Sequence, residues 1–248
     1  MNLTPQQIET FGTKGFLSPI QIADETEVLG YRAAFDALEE KEGREKSQVG
    51  LLDRHLDQPF VWELATNRAI LDCIEALLGP NIMLLGTHFF CKYGPSNRFV
   101  AWHQDVTYWG LEPPTTATAW FAIDDSDVGN GCMQVIPETH RLGIQEHGKA
   151  ERAGNLLSIN QEVEVSKEEE AQAVDLILKA GEISLHHGML IHGSLPNPST
   201  RRRCGLTLRY IPTAVRQVKL NSHGRSYQAI LVRGEDREQH FDRIPAPF

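Results

Sequence analysis

Leu78-Gly79-Pro80-Asn81-Ile82-Met83-Leu84-Leu85 marks the place where the chain changes character. Upstream of it, Ile70, Leu71, Ile74, Leu77 and Leu78 recur at helical spacing and predict a helix that Gly79-Pro80 ends. Downstream, short apolar or alternating runs cover 82–93, 117–123, 132–136, 182–185, 189–191 and 205–211, each bounded by Gly, Pro, Asn or Asp. Many short strands separated by turn signals predict an all-β sandwich or barrel. Nearer the N-terminus, Thr4-Pro5-Gln6-Gln7 has the form of a capping box with proline in the first helical turn, and Gly15 is its stop. Another helix is expected over 24–43, with Leu29, Ala33 and Phe35 turned to the core. The stretch 146–173 breaks the strand rhythm with charged and small residues, including Lys167-Glu168-Glu169-Glu170. It reads as a solvated loop or short helix, with a lid over a site as the alternative. The expected architecture is a single domain over 1–248, its helical N-terminal third packed outside a β-barrel.

Composition narrows the function classes. Of 248 residues, 41% are hydrophobic, yet no apolar run is long enough to span a bilayer, and MNLTPQQIETFG lacks the pattern of a signal peptide. A soluble, cytoplasmic protein is expected. Formal charge is −9 and the only dense basic run is Arg201-Arg202-Arg203, which argues against nucleic acid as a partner. A small molecule is the expected partner, while oligomeric state is open. Cys73, Cys91, Cys132 and Cys204 form no C-x-x-C pair and read as free buried thiols.

His-x-Asp occurs three times, at His55/Asp57, His103/Asp105 and His240/Asp242, so the motif alone decides nothing. The first copy sits just before a helix, where Asp57 suits a turn or cap. The third lies in a charged C-terminal segment. The middle copy lies between Phe99-Val100-Ala101-Trp102 and Val106-Thr107-Tyr108-Trp109, entering the β region. Residues two apart on an extended backbone share a face, so His103 and Asp105 can reach one ion while Gln104 points aside. His186, His187 and His192 can each supply a further ligand. His192 is preferred because it is expected to follow a strand at 189–191 and to precede a Gly193-Ser194 turn. His88, His140 and His187 fit the role of hydrogen-bonded core residues. Two histidines and a carboxylate leave three positions open on a metal, which suits ferrous iron taking a chelating co-substrate and dioxygen. Ser194 and Arg203 can supply the hydroxyl and the bidentate cation that a dianionic co-substrate needs, while Arg201 and Arg202 read as an exposed turn.

With these residues in view, the chain resembles the phytanoyl-CoA dioxygenase family of iron(II)/2-oxoglutarate oxygenases. Besides Leu78 to Met83, the likeness is carried by Trp102-His103-Gln104-Asp105, by 130–141, by Leu190-Ile191-His192-Gly193-Ser194 and by Leu231 to Asp236 with His240-Phe241. The resemblance implies a double-stranded β-helix, the jelly-roll barrel shared with cupins, flanked by helices. It implies Fe(II), 2-oxoglutarate and O2 as cofactor and co-substrates, with His103, Asp105 and His192 as the metal triad. It also implies Arg203, Ser194, Gln104 and Trp120 around 2-oxoglutarate, although Trp120 reads equally well as a core aromatic. Tyr108 and Trp109 are candidates for the substrate side.

Halogenating relatives lack the carboxylate that Asp105 retains, so the resemblance implies a hydroxylase that turns 2-oxoglutarate into succinate and CO2. Desaturation, cyclisation and epoxidation are alternative outcomes on the same cofactors. The rival classes are a cupin-like metal-binding protein that is not an oxygenase, and a non-catalytic scaffold.

Overall fold

A computed structural model describes residues 2–150, 152–157, 160–221, 224–242 and 244–248; the Tyr108 side chain lies outside the described set. Among the described residues the helices are α1 (Pro5–Lys14), α2 (Glu25–Glu42), α3 (Arg44–Val49), α4 (Pro59–Ala65), α5 (Arg68–Leu78) and the short α6 (Lys167–Glu170). The Thr4 side chain accepts from Gln7 N while the Gln7 side chain answers on the Thr4 backbone, and Gly15 closes α1 in the left-handed region. The expected capping box and stop are therefore present. In α2 the buried face is Tyr31, Phe35 and Leu38, at i, i+4 and i+7. Leu29 is 64% exposed and Ala33 is exposed as well. At about 100° per residue both lie roughly a third to a half of a turn away from Phe35.

The strands are β1 (Phe16–Gln21), β2 (Ile82–Lys92), β3 (Val100–His103), β4 (Leu111–Glu112), β5 (Ala117–Ala122), β6 (Met133–Val135), β7 (His147–Lys149), β8 (Gln161–Val163), β9 (Val174–Leu176), β10 (Glu182–His187), β11 (His192–Ser194), β12 (Arg203–Pro212), β13 (Arg216–Gln217) and β14 (Ile230–Arg233). A larger sheet runs β1-β10-β5-β12-β2-β14 and a smaller one β3-β11-β6-β9, with the pairs β13-β4 and β7-β8 beside them. This is the jelly-roll arrangement expected from the sequence.

Alternation along the larger sheet separates packing from chemistry. Ala117, Ala119 and Phe121 of β5, Leu206, Leu208 and Tyr210 of β12, and Ile183 and Leu185 of β10 share one core with the helical residues Phe35, Leu64, Ile70 and Ile74. The intervening residues look into the barrel: Thr118, Trp120 and Ala122; Arg203, Gly205, Thr207 and Arg209; Ser184 and His186. Of these, Trp120 and Ala122 meet Met133 and Val135 of the smaller sheet in a separate cluster.

Two expectations change. Residues 189–191 are not a strand: Leu190 N donates to the His187 carbonyl and Met189 N to His187 Nδ1, which makes a turn. The strand begins at His192 and contains Gly193 and Ser194. The stretch 146–173 matches its reading only in part: the solvated short helix is present as α6, but the remainder is more than a loop. It holds the β7-β8 hairpin and α6, and its 155–156 segment is stitched to the chain around β3. Ala101 N donates to Asn155 Oδ1, Leu156 N donates to the Phe99 carbonyl, and Leu156 is buried. Charge in the sequence hid a segment in which Ala150, Leu156 and Val163 are buried. No helix among the described residues is long and apolar enough to cross a membrane.

Candidate metal centre and its two cavities

His103 ends β3 and His192 opens β11, and the two are directly opposed in the antiparallel register. Their ring centroids are 4.1 Å apart. Gln104 is extended, so Asp105, the first residue of a short 3-10 turn, returns to the same side as His103. Thr118 Oγ1 of β5 donates to Asp105 Oδ2 at 3.1 Å and fixes the carboxylate. Among the described residues, ligand atoms of His103, Asp105 and His192 all lie within 4.8 Å of one another.

The donor set fits a metal on local grounds. His103 Nδ1 lies 2.9 Å from the Ala101 carbonyl and His192 Nδ1 lies 2.9 Å from the Leu190 carbonyl. Each Nδ1–H is thereby committed to the backbone, and each Nε2 lone pair is left for a cation. Burial pushes the His103 imidazole down, and burial together with His103 and His186 holds His192 well below the usual range. Both rings are neutral, as ligation requires. Burial acts to raise the Asp105 carboxyl, but the contact with His186 and the Arg209 charge outweigh it and hold the group below its ordinary value. His186 Nε2 is 3.4 Å from Asp105 Oδ2, and among the described residues neither of its ring nitrogens has a well-formed hydrogen bond. A buried imidazole left in this state beside the triad is further reason to expect an ion or its ligands there.

A narrow cavity of about 40 Å³ opens beside the triad, lined among others by Trp120, Met133, His186, Ser194, Arg203 and Thr207. Arg203 is buried; its Nε and Nη2 donate to the Gly131 carbonyl at 3.1 and 2.9 Å, and Nη2 reaches Ser194 Oγ at 3.3 Å. Lys92, only 1% exposed, donates to Ser194 Oγ at 2.6 Å and to the Leu195 carbonyl. Burial, aided by the Arg203 charge, brings the Lys92 amine down to about 5. Lys92 was absent from the sequence reading, although it pairs with Arg203 across β2 and β12. The Trp120 indole sits 5.4 Å from the Arg203 guanidinium carbon. It lies over Gly205, where a Cβ would come within 1.9 Å of the ring.

Gln104 is elsewhere. Its Nε2 donates to the Gly143 and Met189 carbonyls and its Oε1 accepts from Gln145 N, so it ties loops together behind the triad. That agrees with the reading that it points aside and removes it from the cavity wall. Arg202 also departs from expectation: it is half-buried, ion-paired with Asp124, Asp36 and Glu39, whereas Arg201 pairs with Asp127 at the surface. Of the other His-x-Asp copies, Asp57 accepts a two-pronged bond from Arg54, and His240 and Asp242 are exposed.

The wide cavity, about 520 Å³, also touches His103 and Asp105. Its wall includes Trp109, as expected, and the unforeseen His55, Leu156, Arg209 and Tyr227.

The sequence profile of the phytanoyl-CoA dioxygenase (PhyH) family matches residues 11–205. The chain belongs to this family. It is 31% identical over 157 residues to a "Phytanoyl-CoA dioxygenase domain-containing protein 1 homolog" of Dictyostelium discoideum, across 62% of this chain and 55% of that protein. The chain thus spans about half the length of that curated relative. A "Probable alpha-ketoglutarate-dependent hypophosphite dioxygenase" of Stutzerimonas stutzeri is 26% identical over 77% of this chain and 68% of its own. Among solved structures, the non-heme monooxygenase ThoJ in its apo form superposes with a TM-score of 0.79 at 27% identity, covering 97% of this chain and 88% of that one.

Proposed function

We propose that the chain is an Fe(II)- and 2-oxoglutarate-dependent oxygenase. Its reaction is hydroxylation of a C–H bond in a small polar metabolite or natural-product intermediate, with 2-oxoglutarate converted to succinate and CO2. One observation carries the reading: a face of two neutral histidines and a carboxylate borders both a narrow cavity holding Arg203 and a wide cavity. When bound, the iron supplies dioxygen activation and the oxidative decarboxylation of the co-substrate.

The chain's own groups do the rest. His103 and His192 offer Nε2 and Asp105 a carboxylate oxygen, held by backbone carbonyls and by Thr118. Arg203, Ser194 and Lys92 receive the far carboxylate of 2-oxoglutarate, and Trp120 walls it from water. A guanidinium fork and an ammonium in a buried site bind a carboxylate by charge-assisted hydrogen bonds. Trp109 shapes the substrate side. Asp105 fills the position that halogenation needs vacant. A cupin-like isomerase or storage protein would use the triad but has no need of the Arg203-Lys92-Ser194 group. Desaturation, cyclisation and epoxidation would use the same centre; hydroxylation asks for no further catalytic group.

The relative from Stutzerimonas stutzeri carries alpha-ketoglutarate dependence in its name, which supports the co-substrate. We further propose that residues 1–248 act as one domain in a reducing cytoplasm, which suits the four free, buried cysteines.

Anaerobic titration with Fe(II) and 2-oxoglutarate is expected to raise the weak visible charge-transfer band of the chelate, and admission of air to yield succinate. Absence of both overturns the oxygenase reading.

A further inference from the structure

Arg203 and Arg209 point into the barrel from the same face of β12, yet their surroundings differ. Every hydrogen bond that Arg203 makes belongs to the narrow cavity, to Gly131 or Ser194. Among the described residues, the Arg209 Nε is buried with no hydrogen-bond partner. The nearest carboxylate, Asp105, holds its Oδ1 4.0 Å from Arg209 Nη2, too far for a hydrogen bond, and Asp105 is the proposed metal ligand. Arg209 lies 5.3 Å from the Trp109 ring centre, which braces the guanidinium while leaving its donors free. It borders both cavities together with Phe90, His103 and Asp105.

We infer that Arg209 is the anion receptor of the wide cavity, and that the substrate is a carboxylate-bearing molecule with an apolar body. The inference takes from the oxygenase reading only that the wide cavity is the substrate's side. A half-buried guanidinium whose Nε is shut off from water without a partner is suited to a ligand that completes it, and its planar fork matches a carboxylate. Apart from the triad residues His103 and Asp105 and the phenol of Tyr227, which burial keeps uncharged, the other charged or titratable groups on this wall are already engaged or peripheral. Asp53 Oδ1 accepts from Thr87 N at 3.1 Å, and His55 Nδ1 bonds Thr87 Oγ1 at 3.0 Å. His88 Nε2 bonds the Val49 carbonyl at 2.6 Å. Arg225, at the exposed rim, adds positive charge of the same sign. Leu52, Leu85, Phe90 and Leu156 line much of the remainder, an apolar wall for the substrate's body. A cavity of about 520 Å³ is of ordinary size for a single small-molecule ligand. Because Arg209 flanks Asp105, a carboxylate held there brings the carbons nearest the acid group to the metal.

The test uses the full chain loaded with nickel(II) and saturating 2-oxoglutarate, with hexanoate and hexanamide as probes in calorimetry. Hexanoate is expected to bind at least about tenfold tighter than hexanamide, the effect of one charge-assisted pair. Arg209→Met is expected to erase that preference, and Arg209→Lys to keep part of it. Equal affinities in the unmodified protein overturn the inference whether or not any variant folds. So does a preference that survives Arg209→Met, or hexanoate binding that weakens as 2-oxoglutarate rises, which would give Arg209 to the co-substrate. The anaerobic Fe(II)/2-oxoglutarate band separates the two readings. A normal band without a carboxylate preference removes the receptor alone; a preference without a band removes the oxygenase and leaves the receptor.

Discussion

The two cavities beside the triad are built from different material. The narrow one is walled by strand residues: Trp120 on β5, Met133 on β6, Ser194 on β11, Arg203 and Thr207 on β12. The wide one draws much of its wall from connections, including 52–56, 156–157 and the stretch 225–228. Strand positions are fixed by ladders on both sides and, in the larger sheet, by the helical core behind them, so the groups proposed to hold the co-substrate are held rigidly. Loops can vary without disturbing that frame, which suits the part that selects a substrate. The contrast teaches where to look for each property: cofactor chemistry in the alternation of β12, substrate choice in the loops around it.

The strongest challenge to this division is removal of a shared ligand. His192→Ala, His103→Ala and Asp105→Ala are each expected to abolish the Fe(II)/2-oxoglutarate band and succinate formation, whatever the substrate; a band of normal intensity would break the assignment. Next comes Arg203→Met, which removes a charge-assisted contact of about 1.5–3 kcal/mol, roughly a 10–150-fold rise in the 2-oxoglutarate Kd. On the other side of the comparison, Leu156→Ala is expected to raise the substrate KM more than the 2-oxoglutarate KM in steady-state assays. Equal effects would mean that the cavities are not independent.

Lys92 gives a subtler test through pH. Its amine titrates near 5 in the empty folded protein, against an ordinary value of 10.5. Between those limits the unfolded chain binds the extra proton, so this group makes the folded state less stable as pH falls. Thermal melts without metal or co-substrate are expected to show the stability of Lys92→Met gaining on the unmodified protein from pH 9 down to pH 6. Binding of the 2-oxoglutarate dianion at pH 8 should recharge the amine, so calorimetry in buffers of different ionisation enthalpy should report proton uptake. A constant heat across buffers would remove Lys92 from the co-substrate's carboxylate. The smallest effect is expected far from either cavity: Thr4→Ala loses the α1 capping box for about 1 kcal/mol of stability by denaturant melting, with kinetics unaltered.

Much of this was legible because local rules and global packing agree. The α1 cap, the end of α5 at Gly79, the long apolar runs of β2, β5 and β12, and the pairing of His103 with Asp105 all follow from spacing. Arg203 was readable because it heads an apolar strand. Arg209 was within reach of the same reasoning, since it shares parity with Arg203, Gly205 and Thr207, but a strand's inner face shows no function until its neighbours are known. Lys92 was hidden for a different reason. A lysine at the end of a strand ordinarily reaches solvent, and only the pairing with β12 buries it. The β7-β8 hairpin escaped because its placement rests on the chain around β3, where Asn155 Oδ1 accepts from Ala101 N and Asn155 bridges Phe99, which no periodicity announces.

Gly205 has a practical corollary. With the Trp120 ring lying where a Cβ would be, a single methyl at 205 can be accommodated only if the indole moves. Because Trp120 walls the narrow cavity, residue 205 is a set-screw on that cavity. Turned by one carbon, it is expected to yield a protein with His103, Asp105 and His192 in place but impaired binding of the proposed co-substrate, a form in which a native ligand could be captured unconsumed.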